Sequence, residues 1–150
     1  MIILEHASNE IHQRALTLFA TKAKRAVGAR GELSIRITSS AEMRKLNLRF
    51  RRKNNPTDVL SFPADALELA GDIAISAEIA AANADQLGHS VDTELKILIL
   101  HGLLHLAGYD HEADNGTMHR KEARLRRELG LNSGLIERAY GKPSRQVVRA

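Results

Sequence analysis

Residues 95–111 read LKILILHGLLHLAGYDH, an apolar run that contains three histidines. Its first part is apolar around the whole helical circumference, which is typical of a helix buried at the centre of a domain. Gly108 supplies the left-handed backbone conformation with which many helices end. The run therefore predicts a central buried helix that carries His101 and His105 and is followed by a turn that leads to His111.

The three histidines are placed to bind one metal ion. Residues four apart lie on the same face of a helix, so the rings of His101 and His105 can reach a common point. The turn at Gly108 can carry His111 back toward them. Three imidazole ligands leave the fourth position of a tetrahedral zinc ion open, as in catalytic zinc sites. The spacing predicts one Zn²⁺ per chain, although imidazole also suits other divalent metals.

The same histidine spacing occurs in a zinc-protease motif, in which a glutamate after the first histidine acts as the general base. Gly102 occupies that position in this chain. Without a carboxylate there, a protease would lack the group that takes up the proton of the metal-bound water. The sequence therefore favours a different kind of hydrolase.

Shorter hydrophobic patterns predict four strands and about five helices around this run. The strands are expected at residues 2–4, 33–37, 59–62 and 71–76, and the helices at 10–27, 40–49, 77–87, from Ser90 or Asp92 to Gly108, and from Asn115 or Thr117 to Leu129. Such an order indicates an α+β fold with a small mixed four-stranded sheet. We expect a single metallo-hydrolase domain over residues 1–140, and a disordered basic tail at 141–150.

Composition narrows the class of protein. The chain has 150 residues, of which 43% are hydrophobic, and it has no cysteine, so a metal must be held by nitrogen and oxygen ligands. The N-terminus lacks the basic region of a signal peptide. The longest apolar stretch, 97–107, is interrupted by two histidines and is shorter than the roughly 20 residues of a membrane span. We therefore expect a cytoplasmic protein without a membrane partner.

A basic segment precedes the third predicted strand. It suits contact with phosphate groups, with an ordinary solubilising surface as the alternative. The chain has only two Tyr and three Phe and no Trp, which argues against an aromatic platform for stacking bases. A later basic cluster, in which Glu122 and Glu128 are mixed with cations, is interpreted as a solvated helix face. Its cations are Arg120, Lys121, Arg124, Arg126 and Arg127. The basic residues of the first segment are Arg44, Lys45, Arg49, Arg51, Arg52 and Lys53, of which Arg49, Arg52 and Lys53 are our candidates for binding a nucleic acid through its phosphates.

Four segments together carry a family resemblance. They are LNLRFR at 46–51, PTDVLSFP at 56–63, GDI at 71–73, and the histidine run at 101–111. Over roughly residues 1–130, the chain resembles the bacterial YbeY-type rRNA maturation endoribonucleases. The resemblance implies a zinc-dependent endoribonuclease, specific for single strands, in 16S rRNA 3′-end maturation and quality control of the small ribosomal subunit. The implied partners are single-stranded RNA, rRNA, and the small subunit with its assembly factors.

The resemblance also implies roles for individual residues. His101, His105 and His111 would hold the metal, and Arg51 would line the same cleft as a catalytic or RNA-contacting residue. A guanidinium there offers paired donors for charge that grows on a phosphate. Asp110 is predicted to orient a ligating histidine, with a role in stabilising the turn as the alternative.

Two other functions fit parts of the pattern. The first is a zinc hydrolase of substrates other than RNA, such as a peptidase or amidase, against which Gly102 and the basic segment count. The second is a ribosome-assembly factor that binds RNA and uses the metal mainly for structure. The open fourth position of a three-histidine site favours chemistry over that second function.

Overall fold

The computed structural model describes residues 1–6, 8–64, 70–110 and 115–131, together with the backbone of residues 146 and 147. In these ranges the chain forms five helices and five strands, in an α+β arrangement as predicted. In chain order they are β1 (Ile2–Leu4), α1 (Gln13–Val27), β2 (Leu33–Thr38), α2 (Ser40–Arg51), β3 (Val59–Pro63), β4 (Gly71–Ser76), α3 (Ala77–Leu87), α4 (Val91–Leu106), α5 (Thr117–Glu128) and β5 (Gln146–Val147).

The strands form one mixed sheet in the order β1-β2-β4-β3-β5. β1, β2 and β4 run parallel, whereas β3 is antiparallel to β4, with Ser61 opposite Ile73. The mixed sheet of four strands predicted from the sequence is confirmed. β5, a strand of two residues inside the predicted tail, adds to it by pairing in parallel with Leu60 and Ser61.

The two faces of the sheet are covered by different helices. Ile35 of β2 and Ile73 of β4 pack into the main core, which α4 and α1 complete. Ala74 points the other way, since successive residues of a strand alternate between faces, and packs with Leu60 against Met43 of α2. The central helix α4 therefore lies on one face of the sheet and α2 on the other.

Helix boundaries follow capping chemistry. The hydroxyls of Ser39, Ser76 and Ser90 each accept a hydrogen bond from the backbone N–H three residues later, at the starts of α2, α3 and α4. α1 begins three residues later than predicted, because His12 is extended and its N–H donates to Asp92 of α4. Among the described helices, none has the length and apolar character needed to cross a membrane.

Candidate metal centre and basic surface

The imidazoles of His101 and His105 meet inside the protein. They lie one turn apart on α4, and their side chains are buried, with exposed fractions of 1% and 5%. Their Nε2 atoms are 3.2 Å apart. The two rings therefore lie close together, as their spacing on one helix face predicts.

The other nitrogen of each ring faces a hydrogen-bond acceptor. Nδ1 of His101 is 3.1 Å from the Oε2 of Glu122, and Nδ1 of His105 is 2.9 Å from the backbone oxygen of Tyr109. A carboxylate and a carbonyl oxygen both accept, so the tautomer with the proton on Nδ1 satisfies both contacts. In that tautomer each Nε2 has a lone pair, and the two Nε2 atoms are 3.2 Å apart.

This arrangement fits a divalent metal. With both protons on Nδ1, the two Nε2 lone pairs would repel each other at 3.2 Å, and a shared cation would remove that repulsion. Two imidazole nitrogens bound to one tetrahedral zinc, at bond lengths of about 2.0–2.1 Å, are separated by about 3.3 Å. The outer acceptors also match the partners that ligating histidines ordinarily have. The residues present therefore suit the predicted metal.

Two of the three predicted ligands are brought together in the described part of the chain. His111, the third, lies outside the described residues. Within those described, no group of three His, Cys, Asp or Glu side chains is close enough to hold a metal ion. The role of His111 stays a prediction.

The turn after α4 also fixes the ring of His105. The helix ends at Leu106, and Gly108 has a φ of +99°, as predicted for this glycine. The N–H of Gly108 donates to the His105 oxygen, and that of Tyr109 donates to the Leu104 oxygen, which is the Schellman arrangement. The turn thereby aims the Tyr109 carbonyl at the Nδ1 of His105.

Gly102 lies where α4 comes closest to the sheet. A Cβ atom at this position would be 2.9 Å from the Cδ1 of Ile73 and 3.1 Å from the Oγ of Ser61. The Ser61 hydroxyl donates to the Gly102 oxygen over 3.1 Å. Because this side of the helix faces the sheet, a glutamate here would point into packed side chains. The absence of the protease glutamate therefore has a packing basis.

Glu122 is a functional candidate that the sequence interpretation missed. The interpretation of the later basic cluster as a solvated helix face is wrong for Glu122, which is 3% exposed, and for Arg126, which is fully buried. The Nη2 of Arg126 donates to the Oε1 of Glu122 at 2.5 Å. The signal was available in the spacing, since Met118, Glu122 and Leu125 occupy one helix face and the outer two are buried apolar residues.

His119 lies beside Glu122 on α5. Burial lowers the pKa of its imidazole, an effect that the nearby carboxylate of Glu122 opposes and the guanidinium of Arg126 reinforces. Asp110, the carboxylate predicted to orient a histidine, is half-buried directly after Tyr109. The role of Asp110 stays a prediction. In the described part of the chain, the carboxylate that contacts His101 belongs to Glu122.

Arg51 lies at the C-terminal end of α2, and its side chain is half-buried. Its Nη1 donates to the Oδ1 of Asn47 over 3.2 Å. Asn47 is 1% exposed, and its Nδ2 donates to the Asn55 oxygen over 2.8 Å, so it joins the helix to the loop that follows. That Arg51 lines a cleft with the histidines stays a prediction.

The remaining basic candidates lie on the surface. Arg49, Arg52 and Lys53 are all exposed, and Arg52 ends α2 with a φ of +57°. The loop then leads to Asp58, a buried residue whose Oδ1 accepts the N–H of Val59 over 2.8 Å. Asp58 thus stabilises the entry into β3, and the exposed cations precede it.

Comparison with known proteins agrees with this picture. Residues 2–130 match the family model described as endoribonuclease YbeY. A relative named endoribonuclease YbeY from Koribacter versatilis is 53% identical over 99% of this chain and 97% of its own length. One of the same name from Solibacter usitatus is 44% identical, over 91% of this chain and 92% of that relative.

A solved structure shares the fold. The solution structure of TM1509 from Thermotoga maritima has a TM-score of 0.58 and 30% identity, and covers 96% of this chain and 95% of its own. The range matched by the family model includes the basic segment, strands β1 to β4, the histidine pair and Glu122. The chain belongs to the endoribonuclease YbeY family.

Proposed function

We propose that the chain is a metal-dependent endoribonuclease that cleaves single-stranded RNA. We assign its metal, one Zn²⁺ per chain, to His101, His105 and His111. The observation that carries the proposal is the pair of Nε2 atoms 3.2 Å apart, each on a ring whose Nδ1 faces an acceptor. The names of the relatives support the choice of RNA as substrate.

The metal and the chain supply different parts of the chemistry. A zinc ion held there would supply Lewis-acid chemistry and would lower the pKa of a water molecule toward neutrality. His101 and His105 hold neutral donors in fixed directions. Arg51 donates hydrogen bonds to phosphate oxygens, where negative charge accumulates during cleavage.

RNA binding is assigned to the exposed cations of the basic segment. Arg49, Arg52 and Lys53 contact phosphates without reading bases, which suits a strand of variable sequence. From the family resemblance we infer that the substrate is the 3′ end of 16S rRNA. The partners are then the small ribosomal subunit and its assembly factors.

One experiment tests the metal centre and the reaction together. Wild-type protein, His105→Ala and the control His12→Ala are analysed for bound metal and incubated with single-stranded and double-stranded RNA. His12 is a matched control because it is an exposed imidazole that precedes α1 and contacts Asp92 at the start of α4, whereas the histidine pair lies toward the end of that helix. We expect one metal per chain and cleavage of single strands in the wild type and His12→Ala, and neither in His105→Ala.

Two results would contradict the proposal. Full metal content in His105→Ala would show that the ligands are misassigned. Wild-type protein that binds metal and RNA but cleaves neither strand form would favour the ribosome-assembly factor.

A further inference from the structure

We propose that Glu122, held by Arg126, is a positioning residue that sets the orientation and the donor strength of His101 at the metal centre. This inference rests on the proposed function, since it concerns the same site. It adds a second helix, α5, to a centre whose predicted ligands all lie in residues 101–111.

The three side chains form one buried series of contacts. Oε2 of Glu122 is 3.1 Å from Nδ1 of His101, and its other oxygen, Oε1, accepts from Nη2 of Arg126 at 2.5 Å. The exposed fractions are 1% for His101, 3% for Glu122 and 0% for Arg126. A carboxylate and a guanidinium are costly to bury, and the pairing offsets part of that cost.

Each contact of Glu122 has a separate consequence. Arg126 occupies one oxygen, so the other is presented to His101 in a fixed direction. A carboxylate on Nδ1 strengthens a ligating imidazole and selects the tautomer whose Nε2 carries the lone pair. The positive charge of Arg126 balances the negative charge of Glu122, so the ring is oriented without a full net charge beside the metal.

The spacing on α5 makes this geometry possible. Glu122 and Arg126 are four residues apart, and so they lie on one helix face. Met118 and Leu125, both buried in the main core, anchor that face of α5. The carboxylate is thus delivered to His101 by a packed helix rather than by a loop.

The central test compares metal affinity in three proteins. Glu122→Gln/Arg126→Leu removes both charges together, so neither is left buried alone. The control Glu94→Gln removes another buried carboxylate, on α4 itself, that contacts His89 at 2.9 Å outside the site. Zinc affinity is measured by competition with a chromogenic chelator, and the thermal midpoint is measured on metal-free protein.

We expect the double variant to bind zinc about 10–100-fold more weakly than the wild type, the usual effect of losing such an outer partner. Glu94→Gln should lower the thermal midpoint and leave zinc affinity unchanged. Zinc affinity equal to that of the wild type in the double variant would overturn the proposal. An equal loss of affinity in Glu94→Gln would also overturn it, because stability alone would then explain the effect.

A second variant and a second readout protect the test if the double variant does not fold. Glu122→Asp keeps the charge beside Arg126 but shortens the reach to His101, so zinc affinity should fall by less. Two-bond ¹H–¹⁵N spectra of metal-free protein at alkaline pH report the tautomer of His101. We expect the proton on Nδ1 in the wild type and a mixture of tautomers in Glu122→Asp, and unchanged spectra and affinity would overturn the proposal.

His105→Ala, measured alongside, separates failure of this inference from failure of the proposed function. If His105→Ala loses zinc while the Glu122 variants bind it normally, the metal centre stands and only the positioning role is wrong. If His105→Ala binds zinc as the wild type does, the metal centre itself is misassigned.

Discussion

The histidine pair of α4 and the basic segment at the end of α2 use polar groups in opposite ways. His101 and His105 are buried, and their Nδ1 atoms face acceptors at 3.1 and 2.9 Å. Arg49, Arg52 and Lys53 are exposed. The first region holds one geometry, whereas the second supplies positive charge over a surface.

The difference follows from the cost of burial. A buried polar group without a hydrogen bond destabilises the fold, so the site on α4 requires partners on α5 and in the turn after the helix. Exposed charges require no partners, but salt screens them over about 8–10 Å. We therefore expect single substitutions to abolish function in the first region and to weaken it in small additive steps in the second.

Substitution of Arg51 tests which of the two regions this residue belongs to. It has the largest expected effect on RNA cleavage. Arg51 is half-buried and bound to Asn47, unlike the exposed cations beside it. We expect Arg51→Ala to lower the rate of RNA cleavage by about 10²–10³ with metal content unchanged, because the lost donors act mainly on the transition state. Cleavage rates at saturating RNA and metal analysis check this.

Two further variants control the assignment. Arg51→Lys should recover only part of the rate, since it restores the charge but not the paired donors. Arg52→Ala, one position along, should cleave at close to the wild-type rate at saturating RNA. A large rate loss in Arg52→Ala with normal cleavage by Arg51→Ala would move the catalytic role to Arg52.

Gly102→Ala tests whether the buried region accepts an added side-chain atom. Its Cβ would meet Ile73 at 2.9 Å, so either α4 or Ile73 must shift. Overpacking of this kind costs about 1–3 kcal/mol in the free energy of unfolding, of which the higher helix propensity of alanine offsets up to about 1 kcal/mol. Denaturant titration of metal-free protein measures it, with Ala107→Gly after the end of α4 as a control outside the close contact. An unchanged free energy of unfolding in Gly102→Ala would show that the helix has room to move.

The basic segment should give the smallest effects. Replacing Arg52 or Lys53 with Ala should reduce the slope of log affinity against log salt by about 0.7 each, because one fewer counterion is released. Lys22→Ala is a matched control, since Lys22 is exposed on α1, a helix on the other face of the sheet. Fluorescence anisotropy with single-stranded RNA at several salt concentrations gives the slopes. Equal slopes in all three variants would show that the segment is an ordinary solvated surface.

Local chemistry explains why much of this fold was predictable. Serines before α2, α3 and α4 and a glycine after α3 set the helix ends at the predicted residues within two positions, because capping depends on neighbours in sequence. The convergence of His101 and His105 was predictable for the same reason. Their spacing alone places them on one helix face.

Contacts between distant segments were not predictable from local patterns. Glu122 is 21 residues from His101, and its role depends on how α5 packs against α4. The late start of α1 has a similar cause, because His12 bonds to Asp92, 80 residues away. A charged residue on the apolar face of an amphipathic helix was the one available signal, and the basic residues around Glu122 obscured it.

The two acceptors on the histidine rings differ in how mutation can reach them. His101 depends on the side chain of Glu122, which one nucleotide change can remove. His105 depends on the backbone carbonyl of Tyr109, which every amino acid at that position retains. Mutation can therefore disturb the His105 contact most readily at Gly108, because the left-handed conformation of this glycine directs the Tyr109 carbonyl toward His105. We expect natural variation to be tolerated in the ring of Tyr109 and rejected at the glycine before it.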